Sequence, residues 1–371
     1  MRRYWIDNLR WVTVLTVLLY HVIYFYNNKG VFGGVGGFGD GPQYQDVVMY
    51  VLYPWFMPLL FLLAGISARY ALENRSGKVW FKSRTRKLLV PATIGLFVLQ
   101  WMVGFFNTRV SGIDVLADVP QPFKYIGWSL NGTGPLWFIQ LLWVLCLVLL
   151  IVRKLDAKDR LWNWCGKAGE GSVAVMKIIM LGILFWVGLH TLIMPPSVLE
   201  PNATTALTSL YNLYKPFFYL ITFLLGYFVF SHDAVQEQLR KAWIPLMGCA
   251  VVTGVLLVAT TFGENNSTPE YLRSPLNVLY GWLMCLAMMG CFKACFDYTG
   301  SFAAYMTRSS FGIYIVHYLF VAGLGYMLKY HTDLPLVAIY LILTVAVFVL
   351  SPLAYEVLRR IPIIKWCVFG E

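Results

Sequence analysis

The chain has 371 residues, of which 59% are hydrophobic and only 13% charged, with a formal net charge of +11 at pH 7. That balance excludes an ordinary soluble globular domain and points to an all-α, polytopic integral membrane helix bundle. The excess of basic residues serves topology and contact with anionic membrane lipids; no basic stripe interleaved with stacking aromatics stands apart from the loops, so nucleic acid is excluded as a partner. The seven cysteines include no CxxC spacing and the five histidines are scattered, so neither a metal site nor a disulfide framework is expected.

About ten apolar segments are long enough to span a bilayer, at 11–27, 47–71, 88–106, 134–152, 173–193, 215–231, 243–262, 276–296, 309–328 and 334–357. With both termini placed in the cytoplasm, 23 of the 29 Lys and Arg fall on inner stretches, and the bias alternates loop by loop. The first segment is expected to be a retained membrane helix and not a cleaved leader, because it lacks a small-residue cleavage site. It carries Asp7 and Arg10 at its inner end and His21 near its far end. At ~100° per residue, Arg10 and His21 fall within about 20° of one helical face, roughly 16 Å apart along the axis. Asp7 lies one turn below Arg10 and can pair with it at i,i+3. A stripe of acid, guanidinium and imidazole cannot face lipid, so this helix belongs inside the bundle and borders a site.

The glycine-rich stretch Gly30–Gly41 lacks the Lys-Ser/Thr and the strand-to-helix setting of a phosphate loop and reads as an outer loop. Asn-x-Ser/Thr sequons at Asn131, Asn202 and Asn266 fall in outer stretches. At the inner mouth of the third segment, Lys82, Arg84, Arg86 and Lys87 form a dense cation cluster ahead of Pro91. Such a cluster is first a positive-inside anchor, and it can also receive the phosphates of a nucleotide-like ligand from the cytoplasm. The fourth segment opens on Gly134-Pro-Leu-Trp137-Phe138-Ile-Gln140, in which Gln140 requires a partner. The ninth begins Ser309-Ser310-Phe-Gly-Ile-Tyr314-Ile-Val-His317, placing a second intramembrane histidine one turn beyond Tyr314. His190, His232 and His331 lie at a segment boundary or in polar connections and receive no role, and Glu356 is expected to partner an arginine.

Four pieces in order along nearly the whole chain resemble the acyltransferase-3 superfamily of integral membrane acyltransferases, found mainly in bacteria. They are Asp7, Arg10 and His21 in an Asp-x-x-Arg-x(10)-His pattern, the Arg84/Lys87 pair before Pro91, Leu136-Trp137-Phe138, and a late Ser310-x(3)-Tyr314-x-x-His317. One departure is that lysine stands at position 87 where the family has its second arginine, which keeps charge but not the bidentate fork, with Arg86 at hand to compensate. The ending Leu358-Arg-Arg-Ile-Pro362 is similar to the branch that succinylates periplasmic glucans.

The resemblance implies a single transmembrane acyltransferase domain over 1–371, multi-pass in a bacterial inner (cytoplasmic) membrane. It would move an acyl group, acetyl ahead of succinyl, from cytoplasmic acyl-CoA to a hydroxyl of a carbohydrate, glycolipid or other envelope acceptor, with no metal. His21 would be base or acyl carrier, with an intrinsic pKa suited to either task. Arg10 would steer the donor with Asp7 holding it, and Arg84, Lys87 and Arg86 would bind CoA phosphates. Trp137, Gln140, Tyr314 and His317 would line the substrate space. The competing reading is a proton-coupled or polysaccharide-related transporter, because a polar stripe with two intramembrane histidines can also relay protons. The oligomeric state, a homo-oligomer included, is left open by the sequence.

Overall fold

The computed structural model describes residues 3–28, 34–39, 41, 43–110, 116, 118–188, 215–266 and 268–371. His190, Asn202, part of the Gly30–Gly41 stretch and the end of the fifth segment lie outside them. The described residues are helical, with no strand among them. Among the described residues, eight helices are long and apolar enough to cross a membrane: α1 (Tyr4–Phe25), the run Tyr44–Glu73 that ends in α2 (Phe56–Glu73), α3 (Gly77–Arg109), α4 (Trp137–Leu155), α7 (Asp233–Thr261), α8 (Pro275–Cys295), α9 (Ser301–Tyr330) and α10 (Leu336–Leu358). The fifth and sixth predicted segments correspond to shorter apolar helices, α5 (Ala174–Gly188) and α6 (Pro216–Phe228). A short helix, α11 (Pro362–Phe369), follows the last long one. The chain is a multi-pass helical membrane protein.

The helices group into two compact units. The first comprises Met1–Thr13, Tyr50–Trp80 and Val144–Ala303; the second comprises Val14–Met49, Phe81–Trp143 and Ala304–Glu371. In the first, α2 and α6 meet backbone to backbone where glycine removes the side chain from both. A Cβ on Gly65 would run into the Phe223 carbonyl, and one on Gly226 into the Leu62 carbonyl. Lipid tails give helices no hydrophobic reason to associate, so close van der Waals approach through small residues carries the packing. Gly226→Ala is therefore expected to destabilise the protein by about 1–3 kcal/mol, the usual cost of overpacking. The thermal unfolding midpoint reads this effect. Gly248→Ala, at a position on α7 with nothing within 4 Å of the added Cβ, serves as the control that leaves the midpoint unchanged or raised.

In the second unit α3 is not a regular helix. Pro91 has no N–H to offer the carbonyl of Lys87, and the chain responds with a wide π turn over Thr85–Leu89 and a second over Leu96–Gln100. The first of these turns carries the Arg86 and Lys87 side chains. Farther along α3, Gly104 and Gly132 let the helix Gln121–Asn131 and its end lie directly on the α3 backbone.

Candidate active site

The second unit brings His21 of α1 against His317 of α9. His21 Nδ1 lies 3.0 Å from His317 Nε2, and His317 Nδ1 lies 2.6 Å from the Tyr314 carbonyl oxygen. These contacts order the protons. A carbonyl only accepts, so His317 donates from Nδ1; its Nε2 then carries the lone pair and accepts from His21 Nδ1–H. His21 is also hydrogen-bonded to the backbone of Val17. His21 Nε2 is left with its lone pair. His317 is fully buried while His21 is only half-buried, which makes His317 the fixed member and His21 the one a substrate can meet.

Aromatic rings hold this pair. Tyr20, Tyr24 and Tyr318 stand edge-on to the His21 imidazole with centroids 5.5, 6.1 and 5.1 Å away. Tyr314 is anchored by donating its hydroxyl to the Pro135 carbonyl, and its ring packs edge-on against Phe138. The turn that opens α4 is thereby fixed to the helix that carries His317. Trp137, partly exposed, packs on Phe138 at this end of α4. Gln140 donates to the Ala92 carbonyl of α3 at 3.3 Å, so the partner that the sequence demanded for it is backbone. Buried Gln100, on the second π turn, makes the matching contact on the other side, donating to the Ile315 carbonyl at 3.0 Å. Gln100 and Tyr318 were not singled out in the sequence. A lone glutamine within an apolar span was the available signal for the first; nothing distinguished the second among 23 tyrosines.

In the first unit, Arg10 donates to Asp7 at 3.2 Å and to the Ser67 hydroxyl at 2.6 Å, and Ser67 donates in turn to the Leu63 carbonyl at 2.7 Å. The guanidinium is thus aimed from two sides, by an acid on its own helix and a hydroxyl on α2. Beside it opens a cavity lined by Arg3, Asp7, Ser67, Tyr70 and Glu73. Arg3 closes one wall through its ion pair with Asp233 and a 2.9 Å bond to Gln236. Ser67 was missed in the sequence because a single serine in an apolar helix ordinarily bonds its own backbone, which it also does here.

The cation cluster lies in the second unit, around the first π turn. Arg86 is exposed and donates from Nε to the Gly370 carbonyl at 3.1 Å, and Lys87 Nζ lies 2.6 Å from a Glu371 carboxylate oxygen. Gly370 takes φ +64°, and a Cβ there would press on the Arg86 and Lys87 backbone; only glycine brings the chain this close. Half-buried Arg84 precedes the turn, and Thr85 accepts a 3.0 Å bond from the Trp143 indole of α4. The charged and imidazole residues that the sequence singled out for acyl transfer therefore fall into three sets: the histidine pair, the Asp7–Arg10 pair with Ser67, and the cations of α3. Among the described residues no cluster of His, Cys, Asp or Glu could hold a metal ion.

A family model described as an acyltransferase domain matches residues 3–356, a stretch that runs from before Asp7 to beyond His317. No curated protein and no solved structure matches the chain. A match over nearly the whole length shows that the chain belongs to the acyltransferase-3 family of integral membrane acyltransferases.

Proposed function

We propose that the protein transfers an acyl group from cytoplasmic acyl-CoA to a hydroxyl of an envelope carbohydrate or related acceptor, with His21 as base or acyl carrier. The observation that supports this reading is the chain of bonds from the Tyr314 carbonyl through His317 to His21, which leaves a lone pair on a half-buried imidazole. As a base, His21 Nε2 takes the proton of the acceptor hydroxyl while that oxygen attacks the thioester carbonyl. The C–S bond breaks, and the CoA thiolate is protonated by the imidazolium. As a carrier, Nε2 itself attacks the thioester and releases the thiolate. The Nδ1 proton of the acyl-imidazolium is shared with His317; in a second step the acceptor hydroxyl oxygen attacks the acyl carbon, the Nε2–acyl bond breaks, and the hydroxyl proton passes by way of the freed Nε2 to the thiolate. Either route ends with an ester, free CoA thiol and a neutral His21.

Arg10, held by Asp7 and Ser67, would orient the polar part of the donor. Arg84, Lys87 and Arg86 would bind its phosphates. The pairing of Lys87 with Glu371 adds a condition, since donor phosphates would have to displace this carboxylate. Arg84→Ala or Lys87→Ala is expected to raise the KM for the donor about tenfold, the worth of one charge-assisted bond, with kcat little changed. Glu371→Gln is expected to lower that KM. In this reading both termini lie in the cytoplasm and the protein resides in a bacterial inner membrane. Acetyl is preferred to succinyl as the acyl group.

The deciding experiment follows free CoA with a thiol reagent, using purified protein in detergent with acetyl-CoA and succinyl-CoA in parallel. Release from one donor upholds the reading and names the acyl group. No release from either, together with no CoA-dependent shift in unfolding temperature, would overturn it.

A further inference from the structure

A second cavity lies wholly within the first unit, away from the residues assigned to acyl transfer. It is open to solvent at its mouth. Its walls are largely apolar, built from Tyr53, Pro58, Leu62, Phe218 and Trp282. Two polar residues break this wall.

The first is Lys215, only 6% exposed. Its ammonium donates to the Tyr53 hydroxyl at 3.0 Å and stands 4.8 Å from the same ring. Among the described residues no carboxylate lies within ion-pair distance of it. Among the described residues this buried cation is answered by one neutral hydroxyl, and burial without a counter-charge is costly. The backbone at Lys215 adds to the cost with φ +42°, a left-handed conformation that a side chain ordinarily avoids. The second is Asn277, also 6% exposed, whose Nδ2 reaches the Leu272 carbonyl at 3.4 Å while Oδ1 has no partner. The cavity therefore offers a cation seeking an anion and an acceptor seeking a hydroxyl or amine donor.

The surroundings indicate how such a ligand arrives. Phe185 of α5 also lines the cavity, while Met180, Ile183, Leu184 and Trp186 of the same helix are exposed and Phe217 of α6 is 46% exposed. In a membrane-spanning chain, apolar faces of this kind meet acyl tails. The charge alternation of the sequence also puts Lys215 and the start of α8 on the outer side.

We propose that this cavity binds the glycerol-phosphate headgroup of an anionic glycerophospholipid, with the phosphate on Lys215, a headgroup hydroxyl on Asn277 Oδ1 and the acyl chains along α5. Phosphatidylglycerol has all three features. Phosphatidic acid lacks the hydroxyl, and phosphatidylcholine lacks both the hydroxyl and the net charge.

The test measures lipid binding to the purified full chain in detergent, by unfolding-temperature shift and by native mass spectrometry, and does not depend on turnover. Phosphatidylglycerol is expected to raise the midpoint most, phosphatidic acid less and phosphatidylcholine least. Lys215→Met should weaken phosphatidylglycerol binding about tenfold, the loss expected for one charged hydrogen bond, whereas Lys215→Arg should retain it. Asn277→Leu removes an orphaned acceptor and should fold at least as stably as the parent. It should bind phosphatidylglycerol and phosphatidic acid equally, which keeps the proposal open to refutation if Lys215→Met fails to fold. Equal responses to phosphatidylglycerol and phosphatidylcholine, or a phosphatidylglycerol response unchanged in both Lys215→Met and Asn277→Leu, would overturn the proposal. Free glycerol phosphate that shifts the midpoint as much as the lipid would overturn the lipid assignment in favour of a soluble phosphate ester.

Discussion

His21→Ala is expected to lower kcat for acyl transfer by about 10³-fold, the middle of the range that a positioned general base supplies, while the KM for the donor stays within about threefold. The two roles of His21 separate in a second measurement. If the ring carries the acyl group, the parent protein mixed with donor alone releases one equivalent of CoA per chain in a rapid burst, and the variant shows none. If the ring is only a base, neither shows a burst. Loss of activity without loss of fold is checked by the unfolding midpoint. Because His21 is half-buried among Tyr20, Tyr24 and Tyr318, truncation removes packing as well as chemistry. His21→Gln, closer in volume, is the better control for stability and should be as inactive as the alanine variant. A rate for either variant within tenfold of the parent would remove His21 from the chemistry.

The features legible in the sequence were those that depend on spacing along one helix. The i,i+3 pair of Asp7 and Arg10 forms as the spacing predicts, because helical geometry alone decides it. Glu356 likewise pairs with Arg359 one turn away, at 2.7 Å. Long apolar runs gave the spans, since length and hydropathy are local properties; the family resemblance, carried by short motifs in order, is the family that the match over residues 3–356 shows. That membership favours transfer over the transport reading.

What was not legible depends on which helix faces which. His21 and His317 lie 296 residues apart, and nothing in either segment states that they touch. Ser67 and Gln100 act through single polar atoms in apolar runs, a signal that most helices also give without consequence. The widening of α3 at Thr85–Leu89 could have been anticipated from Pro91. The result of that widening, Lys87 paired with Glu371, required the C-terminal segment to be placed. Nothing in the sequence sets Lys215 apart from the other cations outside the inner stretches, and its burial became visible only once Tyr53 and Asn277 were brought around it.

His317→Leu is expected to cost about 10²–10³-fold in kcat although His317 does not itself meet the substrate, because it is a positioning residue whose work is done through the His21 tautomer. In the parent, the Tyr314 carbonyl fixes the proton of His317 on Nδ1, and His317 Nε2 fixes that of His21 on Nδ1. Leucine removes that acceptor and leaves the Val17 backbone contact alone to hold the His21 proton, so the ring more readily takes the tautomer with its proton on Nε2, where it blocks both attack and proton abstraction. His317→Gln supplies an amide whose oxygen can accept from His21 and whose nitrogen can donate to the Tyr314 carbonyl, so that variant should retain most of the parent rate. A merely structural role predicts no such split, since both replacements fill the space and neither should act on kcat in preference to KM. The pair can also be tested as a unit. If His317 works only through His21, adding His317→Leu to His21→Ala should slow the enzyme no further, because a residue cannot orient a ring that is absent. Additive losses in the double variant would mean that His317 contributes independently, and the ordered relay from carbonyl to His317 to His21 would have to be abandoned.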